Sequence, residues 1–225
     1  NGQVYQVLET LNSRAYGVYK EWHPNGALKI ISHVIGGLAD LNDSAQSSWL
    51  FNEISEVWNE EGELTAQISY TKGVLEGLSI YYHDNNHIWK KRPYLKGKLH
   101  GRVQIFQSNG QLLQENSYQN GELEGLSLRF WSGEQIAYEE HYKNSLLEEG
   151  QYFDKSNKLL AEIHEGSGIR VVFAKDFPLE LQEYKNGLQE GSVRVFNSQG
   201  KHLYKSYSIK NKMKNGEELE FYPKS

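Results

Sequence analysis

The sequence contains no cysteine, which excludes disulfides, thiolate nucleophiles and Cys-based zinc or iron–sulfur sites. Aspartate is scarce, five residues against 24 glutamates, so the short carboxylates that metal and catalytic sites often use are few. No apolar run approaches the roughly 18 residues of a membrane-spanning helix. Positive charge is not in surplus either: the formal net charge is -5 and the pI about 5.9, so the basic footprint of a general nucleic-acid binder is missing. What the 225 residues do have is rings, with 15 Tyr, 8 Phe and 5 Trp, far too many for a disordered tail. The chain opens Asn1-Gly2 rather than with Met. A trimmed start is therefore expected, with a signal or lipoprotein leader among the segments trimming would remove.

Internal repetition organises nearly everything else. The phrase Tyr-x-x-Gly-x-Leu-x-Gly reads Tyr70 to Gly77, Tyr94 to Gly101 and Tyr118 to Gly125, with the tyrosines 24 residues apart. Tyr142 falls 24 residues further on, where the copy loosens and loses its first glycine at Ser145. A good copy returns at Tyr184 to Gly191, and a worn one runs from Ile209 to Gly216. Five residues after the closing glycine comes an aromatic: Trp22, Tyr82, Phe106, Phe130, Phe173, Phe196 and Phe221, with Trp58 and Phe153 in the same phase. Spacings from Trp22 to Phe221 are 36, 24, 24, 24, 23, 20, 23 and 25, a series that chance does not produce.

Each aromatic leads into a turn signal and an aliphatic, as in His23-Pro-Asn25-Gly26-Ala-Leu28 and Gln107-Ser-Asn109-Gly110-Gln-Leu112. At Asn86 and Asn157 the glycine becomes asparagine. That exchange fits a position of positive φ, since Asn tolerates the left-handed region best after Gly. Each unit therefore reads as two short strands joined by a tight turn, with a second glycine-marked turn leading to the next unit. A helix reading is open only at Ser44 to Ser55, where Gly and Pro are absent.

These residues, over positions 14 to 222, resemble the variant MORN repeat found in bacterial proteins, some of them antitoxin-like. The resemblance implies an all-β fold: an elongated solenoid of about eight to nine stacked β-hairpin repeats of ~24 residues, forming a twisted antiparallel sheet. The whole chain, 1–225, reads as one repeat domain with an N-terminal segment at 1–13. An insertion at about 40–53 and degenerate repeats at about 145–181 interrupt the regularity. The phased aromatics are expected to form a core ladder, with Leu75, Leu99 and Leu123 as an aliphatic row.

Residues outside the template are the candidate binding residues: Trp89, Trp131, Tyr81, Trp49 and Phe51, with the one basic cluster Lys90, Lys91 and Arg92. Strand alternation predicts that Trp131 and Tyr81, each next to a ladder aromatic, emerge on the opposite face. Packing under a loop is the plain alternative for Trp89, Trp131 and Tyr81, and a solvated edge for the basic run. No catalytic, cofactor-binding or metal residue is nominated: the sequence holds no nucleophile elbow, phosphate loop or dinucleotide fingerprint. His83 and His87 have ligand-like spacing, but that geometry needs a helix and this segment reads as a turn.

The leading functional reading is a non-enzymatic scaffold for a protein or peptide partner, with no nucleic acid and no cofactor. The family resemblance sharpens it to an immunity or antitoxin-like neutraliser, bacterial, in the cytoplasm or exported. The alternative is an envelope or membrane-associated module that binds lipid headgroups or glycan, with Lys90 to Lys98 as its support and the net charge against it.

Overall fold

The computed structural model describes residues 2–197 and 200–222. Short alternating segments bounded by turn residues become strands, and these pair antiparallel. In chain order these are β1 (Gln6–Leu11), β2 (Arg14–Trp22), β3 (Leu28–Val34), the helix α1 (Asp43–Gln46), β4 (Phe51–Trp58), β5 (Leu64–Thr71), β6 (Val74–Leu75) and β7 (Gly77–Tyr82). They continue with β8 (Ile88–Leu95), β9 (Lys98–Leu99), β10 (Gly101–Phe106), β11 (Leu112–Gln119), β12 (Glu122–Phe130), β13 (Ile136–Lys143) and β14 (Leu146–Phe153). The last are β15 (Leu159–His164), β16 (Ser167–Phe173), β17 (Pro178–Lys185), β18 (Leu188–Phe196), β19 (Leu203–Lys210), β20 (Met213–Lys214) and β21 (Leu219–Glu220). The fold is all-β, a single antiparallel sheet of 21 strands among the described residues.

Two compact units divide the described residues. The first runs to Gln111 and takes in Gln119–Gly121; the second holds Leu112–Tyr118 and the residues from Glu122 on. In the first unit, β1 to β5 pair in succession, β5 pairs β6 and β7, and β8 pairs β7, β9 and β10. In the second, β12 to β19 pair in succession and β19 also takes β20 and β21.

Two turn types repeat. In the first, which follows the phased aromatic, Gly26 N–H donates to His23 O at 2.9 Å and His23 N–H to Ala27 O at 2.8 Å, with Gly26 at φ 86°. This is a type I turn closed by a left-handed residue. Asn86 and Asn157 hold the same place at φ 61° and 62°, so the asparagine exchange reports the backbone requirement. In the second type both central residues are left-handed: Lys72 and Gly73, Lys96 and Gly97, Asn120 and Gly121, Asn186 and Gly187. That geometry is a type I′ turn, whose twist matches the flanking strands.

The ladder aromatics sit where the strand register slips. Trp22, Trp58, Tyr82, Phe130, Phe153 and Phe196 each lie opposite the aliphatic of the following strand, namely Leu28, Leu64, Ile88, Ile136, Leu159 and Leu203. Each of these six rings is only partly buried; Phe173 alone in the row is buried. The more deeply buried row lies two residues after the closing glycine: Tyr19, Ser79, Val103, Ser127, Tyr152 and Val193, all at 6% exposure or less. A ring beside a turn lies at the end of its strand, whereas a mid-strand side chain is walled by both neighbouring strands.

The segment 44–55 is not a helix throughout. Only Asp43–Gln46 is helical, capped by the Asn42 side chain on Ala45 N–H at 2.9 Å, and β4 begins at Phe51. One turn of helix has too few bonds to propagate, and the β-branched and aromatic residues after it favour the sheet.

Candidate functional site

Cross-repeat hydrogen bonds show which side chains serve the fold and which remain over. At three places the residue after the ladder aromatic reaches the next repeat. His23 Nε2 lies 2.9 Å from Trp58 O and His83 Nε2 3.0 Å from Phe106 O; a carbonyl only accepts, so each ring is the Nε2–H tautomer. Trp131 occupies the same position, and its Nε1–H donates to Phe153 O at 3.1 Å. On the other rim, Glu76 and Glu124 accept from the turn amides of Lys96 and Asn144 at 2.7 and 2.6 Å. The backbone repeats the step there, with Gly97, Gly121 and Ser145 donating to Leu75, Leu99 and Leu123 O. The expected leucine row is thus tied together by its carbonyls.

A hairpin unit of this length, with a type I′ turn and a rim tied to its neighbour, is what the family comparison matches. The model for the MORN repeat variant matches residues 15–35, 75–96, 99–120 and 123–144. Those four segments are similar to the MORN repeat variant. No curated protein matches the chain. The same pair of left-handed residues recurs later in the chain, at Asn144 and Ser145, Glu165 and Gly166, and Asn211 and Lys212.

Within this repeat scaffold the residues singled out by sequence separate into two groups. Trp131 is buried in the second unit, edge-on to Phe173 at 4.7 Å, beneath Lys155 at 5.6 Å. Trp49 is buried in the first unit, its Nε1–H on Leu38 O at 2.9 Å, in a run of ring contacts from Tyr19 through Trp49 and Phe51 to Tyr70. The inserted segment therefore folds back and fills its own sheet. Its ring N–H groups are used internally, as buried indoles require, so neither tryptophan offers a free surface; the expected outward placement of Trp131 is corrected by its place in the core.

Tyr81, Trp89, Lys90, Lys91 and Arg92 belong to β7 and β8 in the first unit. Trp89 is 45% exposed, with the His83 ring at 6.3 Å. Alternation divides the basic run between the two faces. Lys90 and Arg92 lie opposite Tyr81 and Ser79, and the Arg92 guanidinium stands 5.8 Å from the Tyr81 ring centre. Lys91 is on the other face, 5.4 Å from the Phe106 ring. Burial and the charge of Arg92 hold the Lys90 ammonium below the usual lysine range. The neighbouring Tyr70 phenol is pushed up by burial and by Tyr81 and Tyr94, and alternation along β5 and β8 puts Tyr70 and Tyr94 on the face of Tyr81.

Two polar clusters are assembled only by the fold. Glu140 is buried, and its carboxylate takes Arg170 Nε at 2.7 Å, Arg170 NH2 at 3.2 Å, and the hydroxyls of Tyr152 and Tyr142 at 2.8 Å each. Burial and this carboxylate push both phenols up, and the carboxylate holds the Arg170 guanidinium in its charged form. Elsewhere in the second unit Glu139, His141, Glu149, Glu162 and His164 line a shallow pocket of about 490 Å³. His141 pairs with Glu139 at 3.1 Å and His164 with Glu149 at 3.2 Å. Among the described residues no group of three or more His, Asp or Glu side chains is arranged to hold a metal ion. His83 and His87 spend ring nitrogens on Phe106 O and Ser108 O.

Proposed function

We propose that this MORN-repeat scaffold is non-catalytic and binds a protein or peptide partner on the sheet of its first unit, with a bacterial antitoxin-like neutraliser as the sharper form of that reading. The observation that supports it is the cluster left over once the fold has been satisfied. Trp89 is an exposed indole on a strand whose three cations, Lys90, Lys91 and Arg92, contact rings and, among the described residues, not carboxylates. Exposed Trp, Tyr and Arg are the side chains that most often anchor interfaces.

The test is photo-crosslinking in the source cells from a benzoylphenylalanine placed at Trp89. One discrete protein adduct is expected. Adducts to lipid or glycan alone would move the reading to the envelope-associated alternative, which uses the same cations.

A further inference from the structure

The two faces of β8 are not equivalent. Lys91 lies over Phe106 on one face, while Lys90 and Arg92 share the other with Tyr81. The cross-strand neighbours of Lys90 and Arg92 are Tyr81, Ser79 and Ile105, none of them acidic. Among the described residues neither cation is paired with a carboxylate across the strands, in a chain whose net charge is -5. Arg92 Nε is enclosed and out of a partner's reach, whereas the two terminal nitrogens of the guanidinium are not enclosed in this way. A carboxylate is the group whose geometry meets those two terminal nitrogens in a fork.

We propose that Lys90 and Arg92, beside Tyr81, form a docking site for an extended acidic segment of a partner protein that carries carboxylates at alternate positions. This rests on the scaffold reading above and names the chemistry of the partner. The spacing supports it: residues i and i+2 of a strand are separated by about 6.6 Å, which is also the separation of side chains on one face of an extended peptide. Two carboxylates in register would satisfy the Arg92 fork and neutralise Lys90 at the same time. The tyrosine rings at Tyr81, Tyr70 and Tyr94 supply the apolar flank for the residues between. An anionic bilayer presents headgroups without that strand spacing, and the net negative charge of the chain opposes its approach.

The experiment is fluorescence anisotropy on the full chain with two labelled ten-residue peptides of equal composition. One carries glutamates at alternate positions and the other carries them contiguously. Vesicles of phosphatidylcholine with one part in five phosphatidylserine form a third probe. The alternating peptide is expected to bind more tightly than the contiguous one, with affinity falling as salt rises. Lys90→Gln with Arg92→Gln is expected to weaken it by about tenfold or more, as losing charge-assisted bonds does. Lys91→Gln, on the opposite face, is expected to change it by less than about twofold. Far-UV circular dichroism and urea midpoints check that each variant folds; Arg92→Lys keeps a charge but loses the fork, and is expected to fall between. Equal binding of the two peptides, no binding, equal loss in Lys91→Gln, or preference for vesicles would each overturn the site. A protein adduct from Trp89 that is indifferent to the Lys90/Arg92 variant would overturn the site and keep the scaffold; loss of both would remove the reading on which it rests.

Discussion

At Glu140 a single side chain holds four hydrogen bonds in the interior of the second unit. A buried charge is tolerable only when such bonds replace its water. Replacing Glu140 by Gln removes the charge and leaves Arg170, whose side chain is 25% exposed, without its counter-ion. The expected loss is about 3–5 kcal/mol, read from urea unfolding; a loss below 1 kcal/mol would mean that Arg170 finds water instead. Ser145 offers the opposite sign. It holds the second place of a type I′ turn at φ 63°, a conformation that costs a non-glycine residue about 1–2 kcal/mol. Ser145→Gly is expected to raise stability by about 1 kcal/mol, the remainder being lost to the greater freedom of an unfolded glycine. His164 gives a titration. Its hydrogen bond to Glu149, with that residue's charge, raises its pKa, and the Glu165 amide with His164 lowers that of Glu149. A raised imidazole stabilises the fold below its ordinary value of 6.5 and ceases to do so as pH rises through the higher folded value. The depressed Glu149 carboxylate works the other way, favouring the fold above 4.5 and failing as pH falls through its folded value. The pair thus contributes most between those two ordinary values. Nuclear magnetic resonance should place the His164 midpoint above 6.5, and Glu149→Gln should return it toward that value.

Single elements are held to their neighbours by bonds that the repeat supplies at a fixed step. The residue after the ladder aromatic is the clearest: His23, His83 and Trp131 all reach a carbonyl of the next repeat. A ring N–H is the common requirement, and imidazole and indole both meet it. Trp131→Phe keeps a ring in the pocket with Phe173 and deletes the donor, leaving Phe153 O short of a partner. We expect a loss of about 1–3 kcal/mol for that change. Trp131→Ala also opens a cavity and is expected to cost about 3–5 kcal/mol. Equal losses for the two variants in urea melts would show that packing alone matters at this strand end. For interface mapping the consequence is direct: an alanine at Trp131 reports stability, whereas one at Trp89, 45% exposed, reports the surface.

Over the whole molecule, protection against amide exchange should follow burial and strand pairing. Strands β13 and β14 carry the buried residues Ala137, Tyr138, Glu140, Leu147 and Tyr152. By contrast β20 and β21 are two residues each and exposed. Amides of β20 and β21 are expected to exchange first and those of β13 and β14 last; uniform rates would contradict a core placed in the second unit around Tyr138 and Tyr152.

Much of this architecture was legible in the amino-acid order. The glycine, asparagine and aromatic phase identified hairpins, their turns and the repeat, because positive φ and strand alternation are local demands that few residue types meet. The Asn86 and Asn157 exchanges even exposed the sign of φ. Burial was less legible. The most enclosed row mixes Tyr19, Ser79, Val103, Ser127, Tyr152 and Val193, and so has no single chemistry to recognise, while the conspicuous aromatics stand at strand ends. Trp131 looked like an addition to the template, although it fills a template place shared with histidines. Its role depends on a carbonyl 22 residues away, which no local pattern displays. The same holds for Glu140 with Arg170, 30 residues apart, and for the division of Lys90, Lys91 and Arg92 between two faces. The order of residues determined the strands, the turns and their period, since these are set by backbone preferences within a few positions. Only the paired sheet decided which rings and charges are consumed by neighbouring repeats and which remain at the surface, because hydrogen-bond satisfaction and burial are properties of strands brought together.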